Sequence, residues 1–165
     1  MHVWYMNLKD DRGTATNDSC INKCDYCFRH NIVGVGWAVE KESALFKQIK
    51  KLEEHYKNTP DEYSKISNTL DRLNEIEVGD LVWTHNFVDG KYYILRISDA
   101  KIRIAKNDIS RNNDIGFYLC WDKKVLVDDA DVPKGLALRK IIQLQKQDDV
   151  TLKTLEIFNK GYDAL

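Results

Sequence analysis

The sequence predicts an α+β fold: a small mixed β-barrel flanked by helices, with a two-helix insertion after the second strand. Short segments with apolar residues at every second position recur along the chain, the period of half-buried strands. Between about residues 41 and 77 that period gives way to a helical one. The two patterns interleave without an internal repeat or a low-complexity segment, which marks a single mixed domain over 1–165.

Hydrophobic residues at 43% and charged residues at 31% fit a globular chain with a core large enough to need no staples. The 25 basic and 26 acidic side chains leave a net charge of −1, so a polyanion has to be held by a local patch, not drawn in by a general field. The opening Met1-His2-Val3-Trp4-Tyr5-Met6 has neither a basic region nor an adequate apolar run, and no stretch reaches the length of a membrane span. A cytoplasmic protein with no membrane partner is expected. Its four cysteines are then expected as thiols or ligands, not disulfides.

The first strand is short, with Val3, Tyr5 and Asn7 on one side and Trp4, Met6 and Leu8 on the other. Lys9 to Ser19 has no periodicity and reads as a long polar loop. Cys20, Cys24 and Cys27 follow with the spacing C-x3-C-x2-C. That spacing, with Lys23-Cys24-Asp25-Tyr26-Cys27-Phe28 around it, resembles the cluster-binding motif of radical S-adenosylmethionine enzymes, although too little chain follows for that family's large barrel. Thiolates so spaced suit an iron–sulfur cluster or, with His30 or Cys120 as a fourth ligand, zinc; the alternative is reduced, partly buried thiols.

Ile32 to Val39 reads as a buried strand, with Val33, Val35, Trp37 and Val39 on one face and Ile32, Gly34, Gly36 and Ala38 on the other. Glycines on one face leave room for a ligand or another backbone, or relieve crowding at a tight barrel bend. A helix from about Lys41 to Lys57 puts Ala44, Leu45, Ile49 and Leu52 on one stripe. The next begins with Thr59 as N-cap, Pro60 at the first helical position and Glu62 closing a capping box, and its apolar face is Tyr63, Ile66, Leu70, Leu73 and Ile76.

Gly79-Asp80 ends that helix and launches a strand with Leu81, Trp83 and His85 on one face. Asp89-Gly90 makes a hairpin turn, and the return strand runs from Tyr92 to Ser98. Lys101 to Ile104 and Ile115 to Trp121 alternate again on either side of the polar segment Lys106 to Asp114, and Lys123 to Val127 extends the sheet or bridges onward. Leu136 to Leu144 fits strand or helix. Val150 to Tyr162 reads as a helix on Leu152, Leu155 and Phe158, with Gly161 as its stop.

Taken in order, Val35-Gly36-Trp37, Val78-Gly79-Asp80-Leu81-Val82-Trp83, Gly90-Lys91-Tyr92-Tyr93-Ile94 and Arg96-Ile97 resemble the PUA-like superfamily and, within it, the EVE and YTH group of modified-base-binding domains. EVE proteins tend to carry an Asn-Tyr-x-Ala-Arg-Asn run after the Trp-bearing strand, where this sequence has a helix. The resemblance implies a nucleic-acid-binding module that takes a modified or flipped base, of DNA in the first instance, into an aromatic pocket. It also implies a setting in bacterial defence or restriction, with a separate nuclease as partner. Flipping costs a few kcal/mol, and stacking on aromatic faces returns roughly 1–3 kcal/mol per base.

On that reading Trp37 and Trp83 hold the base, with Gly36, Asn7, His85 and Asn86 around it, and Arg12, Arg29, Lys91 and Arg96 meet phosphates. A Trp that points inward from a strand equally serves a core. No Gly-rich phosphate loop with Lys, no Gly-x-Ser-x-Gly elbow and no His-Glu-x-x-His helix is present, so no catalytic residue is expected, and no cofactor beyond zinc at the cysteines. Two other readings stay open: a metal or iron–sulfur protein built on Cys20, Cys24 and Cys27, and an interaction domain of phage or mobile-element origin that uses the helical pair.

Overall fold

The structure, a computed structural model, describes residues 1–10, 12, 14–37, 45–105, 107–137 and 144–163. Six strands, β1 (Val3–Met6), β2 (Ile32–Val35), β3 (Leu81–Asn86), β4 (Lys91–Ile104), β5 (Phe117–Val127) and β6 (Leu144–Lys146), form one sheet in the order β2-β5-β4-β3-β1-β6. β1 and β3 are parallel, and the other pairings are antiparallel. The expected α+β class is observed. The expected barrel is not: among the described residues the sheet is open, with β2 and β6 at its two ends. β4 and β5 are long, and their register shifts between Arg96 and Ile97 and again towards Arg103, so bulges bend the sheet without closing it.

The parallel pair β1–β3 is tied by Asp80. Gly79 turns the chain at φ +92, a conformation open to glycine, and Asp80 enters fully buried. Its carboxylate accepts from the His2 N–H at 2.7 Å, the Trp4 indole N–H at 2.9 Å and the Glu77 N–H at 3.0 Å. One side chain thus fixes the start of β3 against the start of β1.

Alternation sends Trp4, Met6 and Leu8 to one face of β1, and Val3 and Tyr5 to the other. The first face is covered by α1 (Asn17–Arg29), α2 (Leu45–His55) and α3 (Pro60–Glu75), which bury Cys24, Cys27, Leu52, Ile66 and Leu73 in its core. α4 (Asp108–Asn112) and α5 (Lys134–Ala137) are short. The second face, with Trp83, Tyr92, Ile94 and Val125, is closed by Leu136 of α5 and Phe158 of α6 (Thr151–Asp163).

Several local expectations are corrected. The polar stretch Lys9 to Ser19 is not all loop, because α1 starts at Asn17 on a capping box in which the Thr16 hydroxyl accepts from the Ser19 N–H and Ser19 answers to Thr16. The α2–α3 pair lies where expected, with Pro60 in the first turn of α3, but the Thr59 side chain makes no cap bond and Glu62 pairs with Lys65 instead. Ala44 and the start of the expected α2 stripe lie outside the described residues, as does most of Leu136 to Leu144.

The return strand does not stop at Ser98: it continues as β4 to Ile104, and Lys123 to Val127 is the second half of β5. Gly161 does not stop α6; it lies inside the helix, where a Cβ would sit 2.2 Å from Val125 Cγ1, so its bareness lets α6 close on β5. The strand expected to reach Val39 ends at Val35, and Ala38 and Val39 lie outside the described residues. Its small face holds another segment of chain, since a Cβ on Gly34 would lie 2.8 Å from Ile115 Cγ2.

Candidate functional site

The inner stripe of α1 carries Cys20, Lys23, Cys24 and Cys27, all buried. Residues three and four apart share a helix face, so the C-x3-C-x2-C spacing is also a helical stripe. Cys24 lies where β1 and β3 part company: its sulfur is 3.9 Å from the Leu8 carbonyl and 3.7 Å from that of His85. Burial pushes its thiol up to about 12, against the Phe87 N–H and the Lys23 charge, and burial likewise pushes Cys27 to about 11. In the chain without a metal, both shifts favour the protonated thiol. Among the described residues no three His, Cys, Asp or Glu side chains converge as a metal site. Cys120 is half-buried on β5 and His30 is exposed at the end of α1; each lines the hollow between α1 and β5.

Between these cysteines Lys23 is fully buried. Its ammonium lies 3.1 Å from Asp114 Oδ2 and donates to the Lys9 carbonyl at 3.2 Å. Asp114 follows α4 with φ +59, and its other carboxylate oxygen lies 2.4 Å from where a Gly36 Cβ would be. Only glycine allows that approach. The next residue is Trp37, at φ +64 and half-exposed against the first core. A bulky residue in the left-handed region is strained, and such strain concentrates at functional sites.

Next to Lys9 in the chain, Asp10 is buried and accepts the Arg12 guanidinium in a fork at 2.9 and 2.6 Å. Burial alone raises the Asp10 pKa, but hydrogen bonds from Arg12 and Ser19 outweigh it and hold the group at about 2. Tyr56, at the end of α2, is raised by burial and by the charges of Glu62 and Asp114. Lys9, Gly36 and Asp114, from three parts of the chain, thus meet around one buried ion pair with Lys23. The result is a cluster of buried polar groups whose carboxylates are already engaged, with Trp37 one residue beyond the Gly36 that packs on it.

Of the expected base-binding residues, Trp37 and Gly36 lie in this site and Asn7 at its edge, where Asn7 Oδ1 accepts from the Lys9 N–H at 2.9 Å. Trp83 is not brought to Trp37. It is buried in the second core, with its indole N–H on Thr154 Oγ1 at 3.0 Å. The His85 ring packs on Tyr92 and Phe87, and Asn86 is buried with its side chain bound to the Val88 N–H of the hairpin turn.

The four expected phosphate contacts do not converge. Arg12 is at the site, Arg29 pairs with Asp25 on α1, Lys91 is at the hairpin tip, and Arg96 binds Asp122 near Tyr162 of α6. Lys23, Asp10, Tyr56 and Asp114 are the residues that sequence reasoning does not find; a lysine inside a stripe of cysteines is the one signal of them. No membrane-spanning helix occurs among the described residues. Set against protein-family models, curated proteins and solved structures, the chain matches none of them.

Proposed function

We propose that the chain is a PUA-like module of EVE or YTH type that binds nucleic acid by stacking a modified or flipped base on Trp37, and that it serves bacterial restriction or defence beside a separate nuclease. The observation that carries this reading is Trp37 itself: a half-buried indole in left-handed backbone, directly after a Gly36 whose missing side chain lets the Asp114 carboxylate approach. A residue needed only for packing gains nothing from that conformation, which costs roughly 1–2 kcal/mol. The edge of the base meets the polar wall formed by Asn7, the Lys9 backbone and the Asp10–Arg12 pair. On this reading Arg12 meets the adjoining phosphate.

Tryptophan fluorescence tests this directly, because the other three of the four tryptophans, Trp4, Trp83 and Trp121, are buried. Quenching by short oligonucleotides with methylated or hydroxymethylated bases is expected in the natural chain. In Trp37→Gly the quenching disappears and affinity falls about 10- to 100-fold, the worth of one stacked base. Stability changes by no more than about 1 kcal/mol, because glycine relieves the left-handed strain and thereby offsets the lost packing. Quenching that survives in Trp37→Gly, or a folded chain that no oligonucleotide quenches, would refute the reading.

A further inference from the structure

The outer side of α1, turned away from the cysteine stripe, borders a second hollow. Tyr26 and His30, one helical turn apart, hold their rings 4.1 Å between centroids at 32°. Facing them are Tyr118 of β5 and Arg103 near the end of β4, around a cavity of about 370 Å³. It continues into a further hollow of about 410 Å³ towards Arg29 and Asn113, and the two share Tyr26, His30 and Asn107. Volumes of this order are those of small-ligand sites, about 300–1,000 Å³.

The walls are held in place. Asn107 caps α4 by accepting from the Ser110 N–H at 2.7 Å, and its amide reaches the Tyr26 hydroxyl at 3.3 Å. Beneath, the Lys23–Asp114 pair clamps α1 to the end of α4. Arg103 is bound to Asp99 and Arg29 to Asp25, yet both guanidiniums remain exposed. The groove therefore offers half-exposed rings, amide edges and two cations whose charge is already partly balanced. Such a surface suits a flat ring with a single phosphate beside it.

Asn113, which lines the hollow, directly precedes Asp114, whose carboxylate touches the position of Gly36 beside Trp37. The groove and the Trp37 site thus flank the same short segment of chain. We propose that this groove takes a nucleotide neighbouring the base at Trp37, with its ring against Tyr26 and Tyr118 and its phosphate at Arg103, so that the protein binds a short single-stranded segment and not an isolated base. The inference rests on the base-binding reading above.

The test compares two probes on one sample set. One is a deoxynucleoside monophosphate with a methylated or hydroxymethylated base, and the other is a single-stranded pentanucleotide with the same base at its centre. The natural chain is expected to bind the pentanucleotide at least about 10-fold more tightly. Tyr26→Ala and Tyr118→Ala each remove about 10-fold from pentanucleotide affinity and leave the monophosphate unchanged, whereas Trp37→Gly weakens both. Arg103→Gln, a surface change that spares the aromatic packing, lowers the salt dependence of pentanucleotide binding by about one counterion.

Equal affinity for the two probes overturns the groove but leaves Trp37-dependent base binding standing. So does a pentanucleotide affinity unaffected by the tyrosine and arginine changes. No binding of either probe by the folded chain overturns both.

Discussion

Separate replacement of the two members of the Lys23–Asp114 pair tests whether the site is preorganised. The ammonium and carboxylate lie 3.1 Å apart with side-chain exposures of 0% and 8%. At that separation and an effective dielectric of about 20 their attraction is about 5 kcal/mol. Most of it only offsets the several kcal/mol per ion that burial costs, so the pair adds little net stability. Removing one partner is different, because the other then stays buried without that counter-ion, even though Lys23 still donates to the Lys9 carbonyl.

Lys23→Met and Asp114→Asn are each expected to lose about 3–5 kcal/mol. In a domain with about 10 kcal/mol in total, the middle of the usual range, that leaves a folded protein with Tm lower by roughly 6–20 °C. The double variant loses much less than the sum, with a coupling of about 2–3 kcal/mol. Urea unfolding at neutral pH, followed by tryptophan fluorescence, gives the four free energies. Losses below about 1 kcal/mol that simply add would mean that water reaches the pair. Trp37 would then have no rigid wall beside it.

Three further outcomes follow from single contacts. Gly161→Ala, which in an exposed helix would stabilise by up to about 1 kcal/mol, should here cost about 1–3 kcal/mol because the new methyl meets Val125 Cγ1; Val125→Ala in the same chain should restore most of the loss in thermal unfolding. Asp10 is depressed in the folded chain from 3.8 to about 2, so the unfolded chain takes up the proton first. Its contribution of about 2 kcal/mol is complete above about pH 4 and lost as pH falls towards 2, and an acid titration of Asp10→Asn should lack that limb. Ellman's reagent at neutral pH should label Cys120 quickly, and Cys20, Cys24 and Cys27 only at the rate of unfolding; several fast thiols, or zinc held at one per chain, would contradict the helical stripe.

The strands are legible in the sequence because alternation and turn chemistry are local. Asp89-Gly90 marks the β3–β4 turn, and Gly79-Asp80 marks an entry that needs a positive φ and a short acceptor. α1 is hidden because its stripe is made of cysteines, which read as ligands by type although they pack as small apolar residues, and because the partner in its capping box is Ser19 in place of a glutamate. Gly161 reads as a stop for a similar reason. Whether a glycine ends a helix or thins it depends on what lies across the interface, and Val125 is on a different element.

The site is less legible, and the two tryptophans show why. Trp37 and Trp83 stand in similar sequence settings, each after a Val-rich run with a glycine nearby. Inside β3, parity decides: Trp83 shares a face with Leu81, that face belongs to the second core, and α6 seals it with Thr154 on the indole nitrogen. Trp37 comes two residues after β2 has ended, so parity no longer governs it, and the left-handed backbone does. The Gly36 that precedes it is packed by Asp114, and Lys23 holds Asp114, a contact across 91 positions of sequence between residue types that carry no periodic signal. Trp37 thus differs from Trp83 in lying outside its strand, next to a Gly36 packed by a charge pair that only the folded chain brings together.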